Sequence, residues 1–161
     1  ALSDLKKQAN ELKIDEKIVF TGRVKAEEVP EHLSLVNVIA LPRKPFKVCE
    51  LVSPLKPFEA MAMGIPLVVS DVAALKEIAH DGRTALLHEA GNPIDLAASL
   101  ERLIAEPELA ARLVQEARQL VNARHTWAQV TEGIVECYRH FEAETDDSQS
   151  RINPEEMNNA E

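Results

Sequence analysis

Two patterns of apolar positions alternate along the chain: residues recurring every three or four positions, as on one face of a helix, and short uninterrupted runs. Leu2, Leu5, Ala9 and Leu12 put one apolar face on a helix over residues 1–12. Ile18, Val19 and Phe20 form a continuous run within residues 17–22, which reads as a buried strand halted by Gly22. Val29, Leu33 and Val36 share one side of a second short helix over residues 27–36, with Pro30 near its first turn. Residues 38–41 are the next apolar run and end at Pro42, after which residues 43–54 read as a basic, proline-marked loop. Residues 58–63 read as a helix stopped by Gly64, and residues 66–70 as a strand. A helix over 73–80, a short strand over 84–87 and three closing helices over 94–105, 107–124 and 127–141 complete the order.

Short strands that are apolar throughout, separated by helices, belong to parallel sheets buried on both sides. The expected fold class is therefore α/β, a Rossmann-like parallel sheet of about four to five strands with helices on both faces. Such sheets bind ligands beyond the carboxyl ends of their strands, where helix N-termini present unpaired N–H groups. That directs attention to the loops at residues 21–24, 42–56 and 70–74. No internal repeat or interdomain linker interrupts the pattern.

Composition narrows the picture further. A chain of 161 residues with 45% apolar content suffices for one domain with a real core. It lacks any run of about eighteen apolar residues, and its first ten residues are polar rather than signal-like, so it is expected to be cytoplasmic. Cys49 and Cys137 lie far apart with no C-x-x-C or histidine-rich spacing, which suggests neither a disulfide framework nor a zinc site. His32, His80, His88, His125 and His140 share no spacing and read as surface or packing residues. The net charge of −9 argues against a nucleic-acid partner. Much of it is concentrated in residues 142–161, where seven acids face the single base Arg151. The expected organisation is a folded domain over residues 1–143 and an acidic, disordered tail over 144–161.

The chemistry concentrates in residues 50–71. A loop leads into a helix start that carries Lys56 and, about one turn later, Glu59; then come the glycine stop and a buried strand. Free N–H groups and the partial positive charge of a helix start receive phosphate, and Lys56 adds a full charge. Glu59 is placed to accept two hydrogen bonds from a vicinal diol, so one helix would read both the pyrophosphate and the ribose of a nucleotide. Either Ser53 is the N-cap with Pro54 at the first helical position, or the helix begins at Pro57. Arg43, Lys44 and Lys47 add cations beside this site and favour attraction of an anionic ligand.

The run Lys56-Pro57-Phe58-Glu59-Ala60-Met61-Ala62-Met63-Gly64 with Ile65 to Asp71, followed by Glu77-Ile78 and Asp81-Gly82-Arg83-Thr84, resembles the C-terminal, donor-binding domain of group 1 retaining glycosyltransferases of GT-B architecture. Phe20-Thr21-Gly22-Arg23-Val24, the run 38–42 and the Trp127 helix extend the resemblance over residues 2–141. It implies that residues 1–143 are a nucleotide-sugar-binding domain, one half of a GT-B fold and truncated at its N-terminus. The donor would be a UDP- or GDP-sugar, with no cofactor and no metal. Glu59 matches the second glutamate of the family's paired-glutamate motif and would bind the ribose hydroxyls. Ser53, Pro54, Leu55 and Lys56 would face the diphosphate, and Gly22 and Arg23 the nucleobase.

Two departures stand out. The family's first glutamate falls at Leu51; Glu50 stands one position away, and with Lys56 it is a candidate catalytic residue. The strand and Gly-Arg to lysine loop that open this domain in the family are absent, as is the N-terminal acceptor domain. The chain thus reads as part of a longer transferase, inactive alone, that moves a hexose-type sugar to a glycan, lipid or small acceptor. Any peripheral membrane association would run through the missing domain. The competing readings are a degenerate nucleotide-binding or scaffolding domain and a nucleotide-sugar epimerase.

Overall fold

The structure, a computed structural model, describes the backbone of residues 2–150 and the side chains of residues 2–141. The chain divides into two compact units, Ala1–Leu35 and Val36–Glu161.

The first unit holds helix α1 (Leu2–Glu11), a 3-10 turn at Asp15–Lys17 and a second at Ala26–Glu28 that runs into helix α2 (Val29–Ser34), with Pro30 in its first turn. Ala9 of the expected apolar face is buried, while Leu2, Leu5 and Leu12 remain exposed. The strand expected over residues 17–22 does not form; Ile18 and Val19 are exposed, Val19 by 86%. Apolar character permits a strand but does not make one. A strand exists through its ladder, and among the described residues no neighbour pairs with this run.

The second unit is built on three parallel strands in the order β1 (Ile39–Leu41), β2 (Leu67–Ser70) and β3 (Leu86–His88). Three strands are thus paired among the described residues, where the sequence suggests four to five. Alternation along the central strand sorts the core into two layers. Leu67 and Val69 pack with Ala60 and Met61 of helix α4 (Lys56–Met63), Leu75 of helix α5 (Ala73–Lys76), and Ala117 and Val121 of helix α7 (Pro107–Arg124). Val68 points the other way, into a cluster with Leu86, Leu103 of helix α6 (Pro93–Ala105), and Leu109 and Leu113 of α7. Leu67, Val68 and Val69 are each no more than 1% exposed, and full burial of such side chains is worth about 1.5–3 kcal/mol apiece. Helices cover both faces, as the unbroken apolar strands require.

Several boundaries differ from those expected. The loop at 43–54 contains a short helix, α3 (Lys47–Leu51). The helix expected over 73–80 closes its regular part at Lys76, and Ile78 and Ala79 continue as turns bonded to Leu75. The last helix, α8 (Trp127–Ser150), continues past 141 because no glycine or proline interrupts the chain between Gly133 and Pro154. The backbone of residues 144–150, part of the expected disordered tail, belongs to this helix, and residues 151–161 lie outside the described residues.

Gly64 ends α4 as expected. It adopts the left-handed conformation (φ 72°), its N–H donates to Met61 O at 3.1 Å, and Ile65 N–H donates to Ala60 O at 3.0 Å, a complete Schellman closure. The chain then enters β2 directly, so α4 runs antiparallel to the strands and its N-terminus lies at their carboxyl ends, where ligands of such sheets bind.

Candidate functional site

Helix α4 starts from Leu55, which carries no group able to cap it. Lys56 is the first helical residue and Pro57 the second, so neither expected start is realised, and Ser53 does not act as N-cap. Pro57 suits this place because its missing N–H would have no partner in the first turn. The turn is closed on Leu55 O, which accepts from Phe58 N–H at 3.0 Å and Glu59 N–H at 3.3 Å. Lys56 and Glu59, three residues apart, are separated by about 60° around the helix axis and therefore stand on one side of it. Both are exposed, as are Ser53 and Leu55, and Pro54 is half-buried. An uncapped helix start, a lysine and a carboxylate are thus collected at the carboxyl end of the sheet.

Glu59 also lines a cleft of about 340 Å³ together with Leu55, Phe58, His125, Trp127 and Val130. The rings of Phe58 and His125 stack obliquely in its wall, with centroids 4.7 Å apart.

Glu50 is placed differently. Its Oε2 accepts the backbone N–H of Ala73, the first residue of α5, at 2.6 Å. Arg43, expected among the cations attracting a ligand, is committed to the protein: its guanidinium donates to Val52 O at 2.8 Å and Cys49 O at 3.3 Å, at the end of α3. Lys44 and Lys47 are exposed. In the first unit, Gly22 adopts φ 69° and Arg23 beside it is exposed.

Ser70, the last residue of the expected strand 66–70, and His88, expected as a surface or packing residue, are both almost fully buried. His88 Nδ1 lies 2.9 Å from Glu89 O, which only accepts, so Nδ1 carries the proton. Ser70 Oγ lies 3.2 Å from His88 Nε2 and 3.1 Å from Arg43 O, the two sharing its one hydroxyl proton, and it accepts Arg43 N–H at 2.5 Å. The available signal was a polar residue closing each of two otherwise apolar strands. Among the described residues no group of three or more His, Cys, Asp or Glu is gathered to hold a metal, and no helix is long and apolar enough to cross a membrane.

A family model described as glycosyl transferases group 1 matches residues 2–120. Alpha-D-kanosaminyltransferase of Streptomyces kanamyceticus is 26% identical over 141 residues, which cover 88% of this chain and 35% of that protein. Among solved structures, sucrose-phosphate synthase from Thermosynechococcus elongatus superposes with a TM-score of 0.75 at 26% identity, covering 86% of this chain and 34% of that one. The Anabaena protein HepE, solved with UDP-glucose, gives a TM-score of 0.77 at 18% identity, covering 86% and 36%. The chain therefore spans about a third of the length of each of these three proteins.

Proposed function

The chain belongs to the group 1 glycosyl transferases, and from that premise we propose that it is the donor-binding, C-terminal part of a retaining GT-B enzyme that transfers a sugar from a nucleoside diphosphate to an acceptor. The observation that carries the proposal is the start of α4, where Lys56 and Glu59 stand exposed on one side of a helix that no protein side chain caps. Departure of the diphosphate leaves negative charge on its oxygens. The Lys56 ammonium and the partial positive charge at the start of α4 stand where that charge develops, which lowers the barrier. Glu59 accepts from the ribose hydroxyls and sets the position of the reacting carbon. HepE, which has this fold, was solved with UDP and with UDP-glucose, which supports a nucleotide-sugar ligand. No metal is required in this scheme, because the lysine and the helix start supply the counter-charge.

A degenerate binding domain is the second reading, favoured by one observation: Leu51 occupies the place of the family's first glutamate, and the adjacent Glu50 is engaged with Ala73. Calorimetric titration with UDP, GDP, UDP-glucose and GDP-mannose tests the donor proposal, with Glu59→Ala as control. Binding abolished by the substitution is the expected result. The acceptor lies across a cleft from the donor in GT-B enzymes, so the 161 residues alone are expected to bind donor without transferring sugar. Transfer by this chain unaided would overturn that part.

A further inference from the structure

Resting on the donor-binding reading, we propose that Glu50 is a positioning residue: a strut that holds α3 against α5 and so sets the segment leading into α4, rather than a group that touches the donor.

A helix of five residues has no stability of its own, so α3 must be held by what surrounds it. Apart from half-buried Cys49, its apolar side chains contribute little. Val48 is 63% exposed and Leu51 72%, and Phe46 before them is 58% exposed. What remains is backbone packing against α5 and two polar ties. One is Glu50 Oε2 on Ala73 N–H, a charge-assisted bond that also sets a negative charge at the start of α5. The other is the Arg43 guanidinium on the carbonyls of Cys49 and Val52, which places a positive charge at the end of α3. Arg43 is itself held through its backbone N–H by Ser70 Oγ, and Ser70 by His88. Only Val52 to Leu55 separate α3 from Lys56, so these ties set the approach of residues 52–55 to α4, whose own seat is fixed by the buried Pro57, Ala60 and Met61.

The one-residue offset from the family pattern has a geometric meaning here. One step along a helix rotates a side chain by about 100°. Leu51 projects into solvent, while Glu50, one step earlier, meets α5. Its carboxylate answers a structural donor and is turned away from the direction that a glutamate at 51 would take.

The test uses the whole 161-residue chain carrying Cys137→Ser, so that Cys49 on α3 is the one remaining thiol. Cys49 is half-buried on the seated helix, so a rise in its DTNB labelling rate above the parent's reports lifting of α3; calorimetry with UDP, UDP-glucose, GDP and GDP-mannose reports the cradle. Glu50→Ala is expected to speed labelling by about tenfold or more, and to weaken a nucleoside diphosphate and its sugar conjugate by a smaller factor, in inverse proportion to the fraction of chains with α3 seated. Glu50→Gln, whose amide oxygen still accepts from Ala73, is expected to restore both. Ala73→Pro removes the N–H from the other side while leaving the carboxylate intact. Proline fits a first helical position preceded by extended Val72, and this variant is expected to behave as Glu50→Ala does.

Labelling unchanged in both Glu50→Ala and Ala73→Pro would overturn the proposal. So would a loss confined to the sugar conjugates in which Gln is as poor as Ala. If no nucleotide binds the parent chain, the donor reading falls by itself; the labelling rates still uphold or overturn the strut.

Discussion

Ser70 Oγ and His88 Nε2 lie 3.2 Å apart at the carboxyl ends of adjacent strands, and the two residues are register partners in the β2–β3 ladder. The bond is buried, and the same hydroxyl accepts Arg43 N–H. Ser70→Ala strips a partner from both groups at once, the buried imidazole nitrogen and the part-buried Arg43 amide. The expected cost is about 1–3 kcal/mol in urea unfolding with an unchanged m-value. A loss within experimental error would mean that these contacts contribute nothing net to stability.

Gly64→Ala should destabilise chiefly through its left-handed backbone, with a smaller steric part that a flexible arginine can relieve. The backbone sits at φ 72°, and a Cβ there would lie 2.6 Å from Arg118 Cζ and 2.7 Å from its Nε. Left-handed strain of about 1–2 kcal/mol adds to the displacement of the guanidinium, which donates to Met63 O at 3.2 Å. Pairing Gly64→Ala with Arg118→Ala removes the clash and leaves the strain. The double variant is expected to recover part of the lost melting temperature, and strict additivity of the two losses would refute the steric account.

Lys56→Ala should weaken nucleoside diphosphate binding by roughly tenfold, with a shallower dependence on ionic strength than the parent chain shows. The exposed lysine contributes little to folding, so the melting temperature is expected to stay the same. Equal salt slopes in the two proteins would remove Lys56 from the anion site.

Glu59→Gln separates charge from hydrogen bonding at the proposed ribose contact. Loss of one ionic acceptor to a vicinal diol predicts about ten- to a hundredfold weaker binding of ribonucleotides. The 2′-deoxy forms should lose much less, because one of the two hydroxyls is already absent. Equal losses for ribo and deoxy ligands would place Glu59 elsewhere in the site.

Which of these features were legible beforehand follows from whether their cause is local. The helix Pro107–Arg124 coincides with its expected span because its start is marked by proline and its inner face by a regular period. Gly64 was legible because a left-handed closure asks for glycine, and Glu59 because motif and helix start coincide. Ile18 to Phe20 misled because strand formation depends on a partner, which an apolar run does not reveal. Helix α3 was illegible because five residues carry no period, and the ties that hold it come from Arg43 and Ala73. Ser70 closes an expected strand while His88 lies just past the end of another and reads as a surface or packing residue; only the register Ser70↔His88 brings them together.

Helix α7 has a consequence for how the domain comes apart. Leu109 and Leu113 belong to the layer beneath one face of the sheet, Ala117 and Val121 to the layer on the other. A rigid rod anchored in both makes the two cores one cooperative unit: neither layer melts while its neighbour survives. Unfolding of this unit should therefore follow a single sigmoidal transition by every spectroscopic probe, and the amides of β2, clamped between the layers, should exchange with deuterium only when the whole unit opens.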